Sequence, residues 1–134
     1  MSANSAILYN TNSASMLYIK KREYLFLSIE GFANTRTLSE LVEALNYGIS
    51  HNHVKKIIFD TSKVKVIKKE DIQLLTLTLI PLLSKSAVSK IAFINSDDVF
   101  GNKSVSMLAS IFTEHIPTQA FPNMESAEIW LFNN

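Results

Sequence analysis

Two periods alternate along this chain. From Tyr24 to Glu30 apolar residues recur every second position, with Leu25, Leu27 and Ile29 on one face and Tyr24, Phe26 and Ser28 on the other, the signature of a strand. Met16 to Lys20 reads as its hairpin partner. Lys21-Arg22-Glu23 between them suits a turn, although the glycine usual in short hairpins is missing. Gly31 ends the strand. From Thr37 onward the period lengthens, and Leu38, Leu41, Val42, Leu45 and Ile49 fall on one helical stripe. Thr37 and Glu40 have the spacing of a capping box, each side chain in reach of the other residue's amide. Gly48 costs this helix about 1 kcal/mol relative to alanine, so its last turn is expected to be weak.

Val54 to Asp60 is apolar at consecutive positions, as a central strand covered on both faces would be. Residues 70–84 read two ways. Leu75, Leu77 and Leu79 alternate like a strand, while Ile72, Leu75, Leu79 and Leu82 share a helical face with Leu74 and Leu77 beside it. Glu70 and Asp71 suit the positive end of a helix dipole, so the helix is chosen, with Pro81 kinking or ending it. Lys90 to Asn95 is another buried strand, and Ser96 to Asn102 a loop. Val105, Leu108 and Phe112 mark a third helix closed off by Pro117. Gln119 to Phe121 is a short last strand. Asn123 caps a final helix on which Ala127, Trp130 and Leu131 share a face.

The order β-β-α-β-α-β-α-β-α predicts an α/β sandwich. Its mostly parallel central sheet has about four or five strands, an N-terminal antiparallel hairpin and about four helices. Residues 1–15 are expected to be a flexible or edge-strand terminus, frayed over 1–5, with Ala6 to Tyr9 as the edge strand. Residues 16–134 form one domain of ordinary length. Leu41, Leu45, Phe59, Leu75, Ile91, Phe93 and Trp130 are the expected core.

The chain lacks cysteine, which excludes disulfides, zinc-thiolate sites and thiol catalysis. A net charge of +1 gives no electrostatic case for nucleic acid. The longest apolar tract, Leu74 to Leu83, holds Thr76, Thr78 and Pro81 and is too short for stable membrane insertion. No signal-peptide pattern opens the chain, and a cytoplasmic protein is expected.

Catalytic motifs are missing too. The three glycines, Gly31, Gly48 and Gly101, do not cluster, so no phosphate-binding loop exists and no cofactor is expected. His51 and His53 read as helix-end residues rather than metal ligands. Asp97 and Asp98 read as loop-to-helix caps rather than a cation site. Lys63, Lys65, Lys68 and Lys69 gather in the loop after the Ile57–Asp60 strand. They could meet an anion, or simply keep the loop solvated.

From about Tyr24 to Trp130 the chain resembles the STAS domain, the fold of bacterial anti-sigma-factor antagonists, and its SpoIIAA-like branch. The marks are the strand ending in Gly31, the capped helix, the strand Ile57-Ile58-Phe59-Asp60 with Ser62, and a helix beginning near Ile72. The ending F-x-x-x-x-x-A-x-x-W-L, from Phe121 to Leu131, resembles the SpoIIAA-like branch in particular. Antagonist-type STAS domains carry D-x-S-G-V-x-x-I-D-S-S-G-L after this strand, and the second serine of S-S-G is phosphorylated to release a partner. Asp60, Ser62, Val64 and Ile67 match that pattern. Lys69, Glu70 and Asp71 occupy the S-S-G positions, so Glu70 stands where the phosphoacceptor would be.

The resemblance implies a non-enzymatic regulatory module that binds a protein partner through a surface with Asp60, Lys69, Glu70 and Asp71. SpoIIAA-like proteins also resemble a lipid-binding fold, so a carrier of a small apolar or lipid-like ligand is the alternative, and an enzyme with an unrecognised site is the third reading. The apolar circumference of the helix over 70–84 adds the expectation of a homodimer.

Overall fold

The run Ile57, Ile58 and Phe59 is buried, because its strand lies inside a six-stranded sheet with helices packed on both faces. The computed structural model describes residues 5–133. Strands β1 (Ser5–Asn10), β2 (Ala14–Ile19) and β3 (Tyr24–Gly31) pair antiparallel. Strands β4 (Lys56–Val64), β5 (Lys90–Ile94) and β6 (Thr118–Phe121) continue the sheet in parallel. Helices α1 (Thr35–His51), α2 (Lys69–Ser84) and α3 (Val99–Thr113) link the parallel strands, and α4 (Met124–Phe132) follows β6.

Strand order in the sheet equals order in the chain. Each crossover therefore steps the same way, and connections of one hand put their helices on one face. Burial agrees. Leu25, Leu27, Ile57, Phe59, Ile91 and Phe93 pack with α1, α2 and α3. Tyr24, Ile58, Ala92, Ile94 and Phe121 pack with α4 on the other side. Phe59, Phe93 and Phe112 stack at the centre of the larger core, with ring centroids 4.9 to 6.3 Å apart.

The expected helices and strands are present, with differences that have local causes. The sheet has six strands rather than four or five, because the edge strand at Ala6 to Tyr9 joins it as β1. The expected fraying over residues 1–5 lies outside the described residues except for Ser5, which begins β1. The turn between β2 and β3 is a short 3-10 helix, and Glu23 takes the left-handed conformation (φ 55°) that a glycine would normally supply. Helix α1 is capped by Asn34, whose side chain accepts from the Thr37 amide at 2.8 Å, so it begins before the Thr37 capping box. Glu40 is used elsewhere, accepting the Tyr9 hydroxyl at 2.7 Å.

The last turn of α1, which holds Gly48, continues to His51. A side chain there would meet Leu8 at 2.9 Å, so the glycine lets α1 lie close on the sheet. Helix α2 runs through Pro81 to Ser84. Its buried face is Ile72, Leu75, Leu79 and Leu83, with Leu82 only half-buried and Leu77 exposed. Asn123 caps α4 as expected. Of the expected core only Trp130 is half-buried, leaning on Phe121 under the Lys90 ammonium.

Candidate functional site

The interior offers no chamber. The cavity between the sheet and the three helices, lined by Leu27, Leu45, Phe59, Phe93 and Phe112 among others, measures about 20 Å³. That is room for about one water. Among the described residues, every buried side-chain nitrogen or oxygen has a partner, and no cluster of three metal-ligating side chains exists.

One end of the sheet gathers three loops. The loops leaving the C-terminal ends of β3, β4 and β5 meet there, the usual position for ligand or partner sites in open α/β sheets. The β4–α2 loop is held from several sides. The Lys65 amide donates to the Gly31 carbonyl at 3.0 Å, the Ser96 hydroxyl to the Val64 carbonyl at 2.6 Å, and the Ile67 amide to the buried Ser104 hydroxyl at 3.0 Å. Val64 and Ile67 are buried beneath it. Gly101, on the first turn of α3, lies so close that an added Cβ would stand 2.0 Å from the Val64 carbonyl and 2.3 Å from that of Lys65. Asp98 caps α3 through the Gly101 amide at 2.8 Å, as expected of a loop-to-helix aspartate.

This rigid frame presents apolar side chains to water. Phe32 after β3 is 73% exposed, Phe100 at the start of α3 is 70% exposed, and Val66 and Met107 are exposed beside them. A groove of about 280 Å³ runs between α2 and α3, lined by Val66, Ile72, Phe100, Met107, Lys69 and Lys103 among others. A second depression shares Val66 and Phe100 and adds Phe32, Lys65 and Asp98. Burying one such side chain is worth about 1.5–3 kcal/mol, so this patch leaves favourable burial unused within the chain. Lys63 pairs with Glu30 at 3.7 Å. Among the described residues, Lys65, Lys68, Lys69 and Lys103 have no carboxylate within 4.0 Å.

The four residues expected at a recognition surface are not brought together. Strand β4 does not stop at Asp60 but runs to Val64, with a register shift against β3 between Ser28 and Glu30. Such a shift adds a residue to one strand and re-aims those after it. By alternation from Ile58, Asp60 points to the α4 face of the sheet, away from α2. Its carboxylate accepts the Ser62 amide at 3.1 Å and hydroxyl at 2.7 Å. Asp71 is only 2% exposed and accepts the Thr35 hydroxyl at 2.7 Å, tying α2 to the start of α1. Lys69 and Glu70 are exposed on the first turn of α2. Phe32, Val66 and Phe100 escaped the sequence reading. The available signal was an apolar residue with no place on a helical or strand stripe after each of three strands.

No family model matches the sequence, and no curated protein matches it. Solved structures do match by shape. The anti-sigma factor antagonist SpoIIAA, in its unphosphorylated form, aligns with a TM-score of 0.60 at 12% identity, covering 94% of this chain and 96% of its own. Apo-SiaC from Pseudomonas aeruginosa aligns at 0.54 and 13% identity, over 90% of this chain and 98% of its own. An uncharacterised Shewanella loihica protein with a SpoIIAA-like fold aligns at 0.52 and 15% identity, over 98% of each chain. This chain therefore has the SpoIIAA-like fold that the order of its elements and its closing F-x-x-x-x-x-A-x-x-W-L implied.

Proposed function

We propose that this protein is a non-enzymatic regulatory module that binds a protein partner at the C-terminal end of its parallel strands. The observation that carries the reading is the combination at that end of a pinned loop with exposed apolar side chains. A loop kept only for solubility needs neither. A loop that presents a fixed surface to a partner needs both, since little ordering entropy is then lost on binding. Lys69 and Glu70 border this surface. Glu70 at the first turn of α2 places a permanent carboxylate where the resembling antagonists carry a phosphoacceptor serine, so the module is unswitched at this position. Asp71 serves it from beneath by joining α2 to α1.

The test is affinity capture from the native cell followed by mass spectrometry, with the wild type beside Phe100→Ser and Val66→Ser. Both changes lie on the surface and should leave thermal stability unchanged. The reading expects a partner that the wild type retains and both variants lose. A partner held equally by all three places recognition elsewhere.

The alternative of a lipid-like carrier has less to rest on. Ligand pockets for such molecules measure roughly 300–1,000 Å³ and enclose most of the ligand. The interior cavity here is about 20 Å³. Association through α2 would use Leu77, its exposed apolar residue. Sedimentation at high micromolar concentration separates a dimer from the 15.0 kDa monomer.

A further inference from the structure

We infer that the groove between α2 and α3 takes an acidic amphipathic segment of the partner, with apolar anchors flanked by carboxylates. This rests on the partner-binding reading above and specifies what the partner presents. The groove's floor and walls are Val66, Ile67, Ile72, Phe100 and Met107, and its only charged lining residues are Lys69 and Lys103. Neither lysine has a carboxylate within 4.0 Å among the described residues. Apolar side chains fit the floor, and carboxylates on the same segment complete the two ammonium groups. A basic segment would bring like charges together, and an uncharged one would leave both lysines partly desolvated without partners.

The neighbouring depression extends the groove past Phe100 to Phe32 and adds Lys65. Its one carboxylate, Asp98, is engaged in capping α3 through the Gly101 amide. The segment's anchors therefore have two adjoining apolar seats, separated by Val66 and Phe100. The same end does not suit an anionic bilayer as well. Glu70, Asp97 and Asp98 stand among its lysines, and the net charge of the chain is +1. Clusters of about four to eight basic residues read as anionic-lipid sites, and the lysines here are at the low end of that range with three carboxylates among them.

The test uses the full chain and a displayed library of random peptides of about twelve residues, the length that fills a groove of this kind. Selection on the wild type should enrich peptides combining Asp or Glu with aromatic residues or leucine. Synthetic copies should bind Phe100→Ser and the pair Lys69→Glu, Lys103→Glu roughly tenfold more weakly or worse, and should weaken as salt is raised. Replacing the peptide carboxylates with lysines should abolish binding to the wild type and restore it to the Lys69→Glu, Lys103→Glu protein. Thermal melts keep the comparison to folded variants. Enrichment without an acidic bias, no enrichment, or peptides indifferent to both variants overturns the inference. So does binding to phosphatidylserine vesicles with no peptide selected, which would assign the patch to a membrane. A native partner lost with Phe100→Ser but lacking such a segment sinks this inference alone. A native partner unaffected by Phe100→Ser sinks the partner-binding reading with it.

Discussion

The two ends of the parallel strands are finished differently. At the N-terminal end, Lys55, Lys56, Lys90 and Arg22 find partners within the chain. Lys55 pairs with Glu23 at 3.7 Å, the Lys56 ammonium donates to the Ser89 hydroxyl at 3.0 Å, and Lys90 donates to the Trp130 carbonyl at 3.0 Å while lying over its ring. Arg22 sits over Phe132, 4.6 Å from the ring centroid. Tyr18 donates to the His53 carbonyl at 2.8 Å, and His51 stacks on Tyr47. At the C-terminal end the backbone is pinned just as firmly, yet Phe32, Val66 and Phe100 face water and four lysines lack carboxylates among the described residues. The second end leaves three apolar side chains in water side by side, and it is there that the proposed partner would bind.

The comparison can be broken at either end, and the largest effect should come from the core both ends share. Leu45→Ala, beneath the sheet, should lower the unfolding free energy by about 2–5 kcal/mol in urea melts. Next comes Gly101→Ala, whose methyl must displace the Val64 and Lys65 carbonyls. It should cost about 1–3 kcal/mol and weaken partner binding, because the pinned loop moves. A melt indistinguishable from wild type would mean the loop is not held as described. Thr35→Val removes the hydroxyl that meets the buried Asp71 carboxylate and should cost about 1–3 kcal/mol, again at the open end.

The closed end responds to alkali instead. Burial first, and then the nearby Glu23 carboxylate, raises the Tyr18 pKa above its usual 10.0. Burial, with Glu128 adding to it, does the same for Tyr24. A raised phenol contributes stability that is present below the unfolded value and is lost as pH climbs from about 10 through the folded value. Chemical melts across that range should show falling stability, and Tyr18→Phe should flatten part of the fall. The smallest effect belongs to Glu70→Gln, which removes a first-turn charge worth about 0.3–1 kcal/mol. A larger change in partner affinity than in stability would place Glu70 in the interface.

The sequence showed the elements well because their signals are periodic. The stripe from Leu38 to Ile49 and the alternation from Leu25 to Ile29 survive intact in the structure. What it hid depends on contacts distant in sequence. The β4 strand looked finished at Asp60 because polar residues follow, yet the Thr61 hydroxyl is buried and satisfied by the Ile94 carbonyl, so the strand continues. Asn34 caps the helix that Thr37 was expected to cap, and the Tyr9 hydroxyl on Glu40 belongs to a strand whose pairing no local pattern reveals. Asp71 looked like a surface acid because its partner, Thr35, lies on another helix. The apolar patch was hardest to see, since Phe32, Val66 and Phe100 are far apart in sequence and meet only when the sheet brings the ends of three strands together.

That meeting is the centre of the account, and Phe100→Ser tests it most directly. The measurement is the affinity of the captured partner for wild type and variant by isothermal titration, with thermal melts alongside. The account predicts binding weaker by roughly tenfold or more, as for an anchor residue in an interface, with an unchanged melting temperature. Equal affinity at equal stability would contradict it.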